Sequence, residues 1–290
     1  MQYNIRKAQK SKGKLRIGLS GPSGSGKTYS ALLLASGLTS WDKIVIIDTE
    51  NGSADLYDSL GEYSVITLEP PYSPENYIGA IKAAEEAGAE VIIIDSVTHE
   101  WDGSGGCLES NEKLAQAKFK GNTWAAWSVT TPKHQKFIGT IVSSKAHIIT
   151  TARSKQDTVQ IDGKIKKVGV KEIQREGYEY ELTLNFNLDR DGHLAIASKD
   201  RTGLFIEADP FVIDKKTGET LLNWAESGID KNLVTKEQLK RLHTLLSVKG
   251  KEKETLYEHF EVKSTKDLTK EQAEAAIKKL ADMPDVESEE

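Results

Sequence analysis

Cysteine occurs once in these 290 residues, at Cys107. An internal disulfide is therefore excluded, and no redox or metal role is expected of Cys107, since a lone thiol without His or Cys at ligand spacing makes no site. No run of eighteen or more apolar residues exists, which excludes a transmembrane helix. The first residues, MQYNIRKAQKSKGK, are basic but carry no apolar stretch, so they are not a secretory leader. A cytoplasmic protein without membrane contact is expected. Repeats of solenoid type are missing. The net charge of −5 gives no general attraction to nucleic acid, yet the charge is uneven. Arg6, Lys7, Lys10, Lys12, Lys14 and Arg16 follow one another with no acid among them, and the tail from Asp285 is acidic.

Short apolar runs alternate with helical patterns in the first half. Ile44–Asp48, Val65–Leu68, Val91–Asp95 and His147–Thr151 are rich in β-branched residues, as strands buried on both faces are. Pro74–Ala87 and Thr123–Val142 are long enough for helices between them. Such alternation predicts βαβ units and an α/β fold with a mostly parallel sheet. Past Arg153 the texture changes. Asp162-Gly163 inside Thr158–Val170 predicts a hairpin. Asp191-Gly192 predicts a second, joining Tyr178–Leu188 to His193–Ser198. Thr235–Gln238 and Thr269–Gln272 read as capping boxes that open helices. The expected division is a basic segment 1–14, a core over 15–228, a small helical domain over 229–284 and an acidic tail over 285–290.

The chemistry begins at Gly21-Pro22-Ser23-Gly24-Ser25-Gly26-Lys27-Thr28, which fits G-x-x-x-x-G-K-[ST], the P-loop. A strand over Arg16–Ser20 precedes it and a helix over Thr28–Leu38 follows, the context the motif requires. Glycines let successive N–H groups turn inward, and the helix N-terminus adds its positive dipole end. Lys27 would reach the β- and γ-phosphates, and Thr28 would place its hydroxyl on Mg²⁺. Tyr29 belongs with this nucleotide-contacting set. Asp48 and Glu50 end one strand, where a carboxylate can activate an attacking water or simply close the strand. Asp95 ends another in the Walker B pattern and would hold Mg²⁺ through its water shell. Lys199 and Arg201 point the same way from an extended segment. They are either a cationic finger for a phosphoryl group or an ordinary charged turn.

Gly21–Thr28, Asp48-Thr49-Glu50, Val91–Ser96 and Lys199-Asp200-Arg201 occur in the order found in RecA-like ATPases. Ile94–Val97 resembles the Walker B end of RecA, and Ile47–Glu50 resembles its strand bearing the catalytic glutamate, which implies that role for Glu50. Tyr57 lies where RecA has an aromatic that stacks on adenine. Lys199-x-Arg201 is similar to the trans-acting finger of DnaB-type helicases and RadA. Arg153 sits where related proteins place a γ-phosphate sensor, with Gln156 an alternative. Over roughly residues 10 to 225 the chain resembles phage RecA-like recombination ATPases associated with single-strand annealing. The resemblance implies a RecA-like P-loop core with ATP and Mg²⁺ as cofactors. It also implies a homo-oligomer with interfacial ATP sites, single-stranded DNA as partner, and a single-strand-binding or replication protein as a further one. Two other readings stay open: a nucleotide-switched annealing module with incidental hydrolysis, and a small-molecule kinase. The placement of Glu50 beside the Walker B strand, rather than at its end, is expected to set the chain apart from AAA+ proteins.

In RecA-like cores two loops face DNA, here Trp101–Thr123 and Ser154–Gly177. Both carry lysines, although Asp157, Asp162, Glu172 and Glu176 intervene in the second. Trp124 and Trp127, three apart on a predicted helix, are expected to pack in the core. His99, Glu100 and Asp102 show no metal spacing.

Overall fold

The computed structural model describes residues 7–161, 164–230 and 232–284, and side chains for these residues except 156–170. Two compact units result. The larger, residues 13–226, is built on one sheet. Its elements run β1 Arg16–Gly21, α1 Lys27–Leu38, β2 Ile44–Asp48, β3 Ser64–Thr67, α2 Pro74–Glu86, β4 Val91–Asp95, α3 Thr98–Asp102, α4 Cys107–Lys118 and α5 Thr123–Ser143. The order continues with β5 His147–Ile161, β6 Lys164–Glu172, β7 Leu184–Leu188, β8 Leu194–Asp200, β9 Phe211–Val212 and α6 Lys215–Glu226. The strand order is β3-β2-β4-β5-β1-β7-β8-β9, with β6 hydrogen-bonded to the outer half of β5. The strands from β3 to β7 are parallel, and β8 and β9 return antiparallel. This is the mixed α/β fold with a mostly parallel sheet that the alternation predicted.

The physical reason is burial on both faces. β1, β2 and β4 have no exposed residue. On one face Ile17, Leu19, Ile44, Ile46, Val91 and Ile93 pack under α1 and α6. On the other, Val45, Ile47, Ile92, Ile94 and Ile148 pack under α2 and α5, with Tyr77 and Phe137 in contact. A sheet covered this way can expose functional groups only at its ends, and parallel sheets gather ligands at the C-terminal ends of their strands. Register puts Asp48, Asp95 and Thr151 side by side, and Gly21 beside Arg153.

Several expectations need correction. Tyr178–Leu188 is not one strand. Gly177 turns left-handed at φ 88°, Tyr178–Glu181 forms a 3₁₀ turn, and Tyr178 faces inward to donate its hydroxyl to Thr150 Oγ1 at 2.7 Å. Only Leu184–Leu188 is strand. The segment 101–123 is not an open loop but contains α4. The segment 154–177 is the β5–β6 hairpin and the turn after it. Its Asp162-Gly163 tip lies outside the described residues, as do the side chains of Gln156, Lys164, Lys166 and Lys167. Trp124 does not pack in the core and is 85% exposed.

Among the described residues, the second unit comprises 7–12 and those between 227 and 284. Lys12 N donates to Ile229 O at 2.9 Å, and Ile229 N donates to Lys10 O at 3.0 Å. Both capping boxes form, opening α7 Lys236–Val248 and α9 Lys270–Ala281, with α8 Glu254–Phe260 between. Leu242, Leu246, Leu268, Ala273, Ile277 and Leu280 make its own core.

α1 and α6 pack with backbone contact in the larger unit. A Cβ at Gly37 would lie 2.1 Å from Lys215 O, and one at Gly218 would lie 2.2 Å from Leu34 O. Neither backbone oxygen can yield without moving a helix. Gly218→Ala should therefore cost about 1–3 kcal/mol in urea unfolding, the usual range for overpacking. An unchanged midpoint and slope would contradict this close approach.

Candidate functional site

The phosphate loop joins β1 to α1. Gly24 and Gly26 adopt φ of 78° and 82°, conformations in which a side chain is strained, so the loop's tight curl depends on them. The first turn of α1 carries no acid, and no side chain caps it. Its N–H groups and positive end are left for an anion. Lys27 curls back over the loop, donating to Gly21 O at 3.0 Å and Pro22 O at 2.9 Å. Burial pulls its ammonium below the ordinary lysine range, while Asp95 and Glu50 oppose the shift. Tyr29 and Tyr57 meet edge to face at 5.7 Å, so the two candidate aromatic contacts are neighbours.

Asp95 lies at the end of β4 with 2% exposure. It accepts from Thr28 Oγ1 at 2.6 Å and from Thr151 Oγ1. Burial pushes its carboxyl upward, and the hydroxyls of Thr151 and Thr28 partly offset this. Thr28 and Asp95 are thus already in contact, as two residues that share an octahedral ion through oxygen would be. The donor set, a hydroxyl and a carboxylate beside a phosphate loop, fits Mg²⁺.

Glu50 stands two residues beyond β2. Its two oxygens take Nε of Arg153, at 3.1 Å, and Nη2 of the same guanidinium. Ser96 Oγ donates to it at 3.0 Å, and His99 Nε2 is 3.9 Å away. Burial works against its charge, but the Arg153 guanidinium outweighs burial and holds the carboxyl below the usual range. Asp48, the other carboxylate of that strand, is spent on structure. It accepts the backbone N–H groups of Glu50 at 2.6 Å and Ala54 at 3.1 Å, shaping the turn that presents Glu50.

Lys199 and Arg201 are not in this cluster. Lys199 pairs with Asn185, and Asn185 with Gly18, so it lies level with the first half of β1. Arg201 N bonds Thr183 O, and Thr183 N bonds Arg16 O, one step further from the loop. At about 3.3 Å per residue, Gly18 is roughly 10 Å and Arg16 roughly 16 Å along the strand from Gly21. The two cations donate instead to Glu179 O at 2.6 Å and Tyr180 O at 2.7 Å.

The sequence reading missed two residues that do lie at the loop. The β7–β8 turn brings Arg190 and His193 against it. A Cβ at Gly26 would be 3.2 Å from His193 Nδ1, and one at Gly24 would be 3.7 Å from Arg190 Nε. Both are exposed and make no hydrogen bond or ion pair to another described residue. The signal was available in Asp191-Gly192, because a tight turn after a strand beside β1 must end near the loop that β1 feeds.

A groove of about 1050 Å³ opens along α5, lined by Trp101, Phe119, Trp124, Trp127, Lys171 and Arg175. Trp101 and Trp127 stack at 5.5 Å and 19°, and Arg175 lies 5.6 Å over the Trp127 ring.

A family model described as AAA domain matches residues 13–203, more than half of the chain. The chain belongs to this family, and its larger unit is a nucleotide-hydrolysing P-loop ATPase domain of the AAA type. The phosphate loop, Glu50 and Asp95 all fall inside the matched span. No curated protein matches the chain.

Lys27→Ala removes the only side-chain cation within the loop. It should abolish binding of a fluorescent ATP analogue while leaving the circular dichroism spectrum unchanged. Retained affinity would show that the loop does not hold the phosphates.

Proposed function

We propose that the chain is a Mg²⁺-dependent ATPase of RecA-like type that acts on single-stranded DNA, as in phage recombination or replication, and works as a homo-oligomer. The observation that carries the reading is the convergence of Lys27, Thr28, Asp95, Glu50 and Arg153 at one end of the sheet. ATP lies with its phosphates in the Gly21–Thr28 loop. Thr28 and Asp95 hold Mg²⁺. Lys27 releases the loop carbonyls and turns to the β- and γ-phosphates. Arg153 exchanges the Glu50 carboxylate for the γ-phosphate, which frees Glu50 to accept a proton from water. That water attacks phosphorus, the bond to the β,γ-bridging oxygen breaks, and ADP leaves with the electron pair. Arg190 and His193 wall the loop from the same chain, and Tyr29 and Tyr57 offer a face to the base.

Lys199 and Arg201 cannot complete the site of their own chain from the far end of β8. In this reading they reach the γ-phosphate of a neighbouring copy, where a cation stabilises the charge of the transferring phosphoryl group. Specific activity should then rise with protein concentration, and Arg201→Ala should flatten that rise. Equal activity on dilution of a monomeric sample would sink the interfacial part.

The groove supports the DNA part. An exposed indole stacks on any base, at about 1–3 kcal/mol per base, and Lys171 and Arg175 meet the backbone. Trp124→Ala should weaken binding of a labelled oligonucleotide by roughly tenfold or more and leave ATP binding as it was. Unchanged DNA affinity would remove the groove from the account. One observation favours the annealing-module alternative: both Glu50 oxygens are held by Arg153, a resting state in which no base is free. Glu50→Gln decides between the two. Loss of turnover together with loss of DNA activity favours the ATPase, and surviving annealing favours the module.

A further inference from the structure

Glu100, Cys107 and His134 are separated in the sequence, but the fold brings them together. Glu100 lies on α3, Cys107 opens α4 and His134 lies on α5. Their exposures are 0%, 0% and 4%. Cys107 Sγ is 3.1 Å from Glu100 Oε1. His134 Nδ1 is 3.1 Å from the same oxygen and 3.2 Å from the other. One ligand atom from each residue lies within 4.8 Å of both others.

The Arg175 guanidinium acts on Cys107 from a distance, while its own contacts go to Thr131 Oγ1 and the Trp127 ring. Among the described residues, no lysine or arginine forms an ion pair with Glu100, and its single partner of that kind is His134. A neutral imidazole leaves a carboxylate uncompensated in the interior, which is costly. A divalent cation held by one carboxylate, one thiolate and one neutral imidazole balances the group completely. The geometry is close to what such an ion needs. With Zn–S near 2.3 Å and Zn–N or Zn–O near 2.0–2.1 Å, tetrahedral angles place ligand atoms about 3.3–3.6 Å apart. The observed separations from Oε1, both 3.1 Å, are a few tenths of an ångström shorter than that range. The mixture of sulfur, nitrogen and oxygen donors suits Zn²⁺ and excludes Mg²⁺ or Ca²⁺ as preferred ions, since those take oxygen. Gln174 Nε2, 3.4 Å from Glu100 Oε2 and 2.9 Å from Val97 O, supplies the outer contact that orients the carboxylate.

We propose that Glu100, Cys107 and His134 bind one zinc-like divalent cation, at a site apart from Thr28 and Asp95, with water as the fourth ligand. Binding displaces the thiol proton of Cys107 to solvent. The imidazole ligates through Nδ1 and keeps its proton on Nε2. The ion fastens α3, which carries Trp101, and the start of α4 to the middle of α5, which carries Trp127. Without metal, the same three side chains close on one another as hydrogen-bonded partners.

The test uses the full chain, stripped with a chelator and free of nucleotide, titrated with Co²⁺ as a spectroscopic stand-in for Zn²⁺. One equivalent should produce a thiolate-to-cobalt charge-transfer band in the near ultraviolet, and Zn²⁺ should displace it. Cys107→Ser should lose the band, and His134→Ala should weaken cobalt binding by more than about tenfold, a loss that outer contacts alone can reach. Asp95→Asn should keep both. Absence of the band from the wild type at stoichiometric Co²⁺ overturns the proposal, and so does equal cobalt affinity in Cys107→Ser. Should a variant unfold by circular dichroism, the wild-type band and its displacement by Zn²⁺ decide alone.

Discussion

A buried carboxylate with two hydroxyl partners organises this ATPase domain. Asp95 accepts from Thr28 on α1 and from Thr151 on β5. Its own strand, β4, lies between β2 and β5. Three separate elements are therefore tied to one charge at the end of the sheet. The constraint is strict because a buried carboxylate is tolerated only when its lone pairs are satisfied. Everything else in the site is measured from that point. The loop must deliver Thr28, the neighbouring strand must stop level with Asp95, and β5 must continue past it to deliver Arg153.

Much of this was legible in the sequence, for a physical reason. Strands buried on both faces must be nearly all apolar, so Ile44–Asp48 and Val91–Asp95 announce themselves, and the polar residue that ends each one stands out. The phosphate loop is equally local, because its chemistry is backbone geometry set by glycines a few residues apart. The capping boxes at Thr235 and Thr269 are local too, and both formed.

What stayed hidden depends on contacts between distant segments. α4 was invisible because its buried positions are Cys107, Asn111 and Ala115, a stripe of small and polar residues rather than leucines. Alternation over Tyr178–Leu188 imitated a strand, although Tyr178 is turned inward by the left-handed Gly177 to reach Thr150. Trp124 follows helical spacing, but its face of α5 borders the groove. Spacing rules also missed the Glu100, Cys107 and His134 cluster, whose members meet only because α3, α4 and α5 pack together. The same packing joins the end of the Asp95 strand to the groove, as Gln174 bonds both Val97 and Glu100 beside Arg175.

In the proposed function, the residues gathered around Asp95 and Glu50 hydrolyse ATP and DNA engages the same cycle. Steady-state phosphate release from ATP by the wild-type chain, with Mg²⁺ and with or without single-stranded DNA, tests it most directly. Release should require Mg²⁺ and rise when the DNA is added. Tight nucleotide binding with no phosphate release under either condition would contradict it.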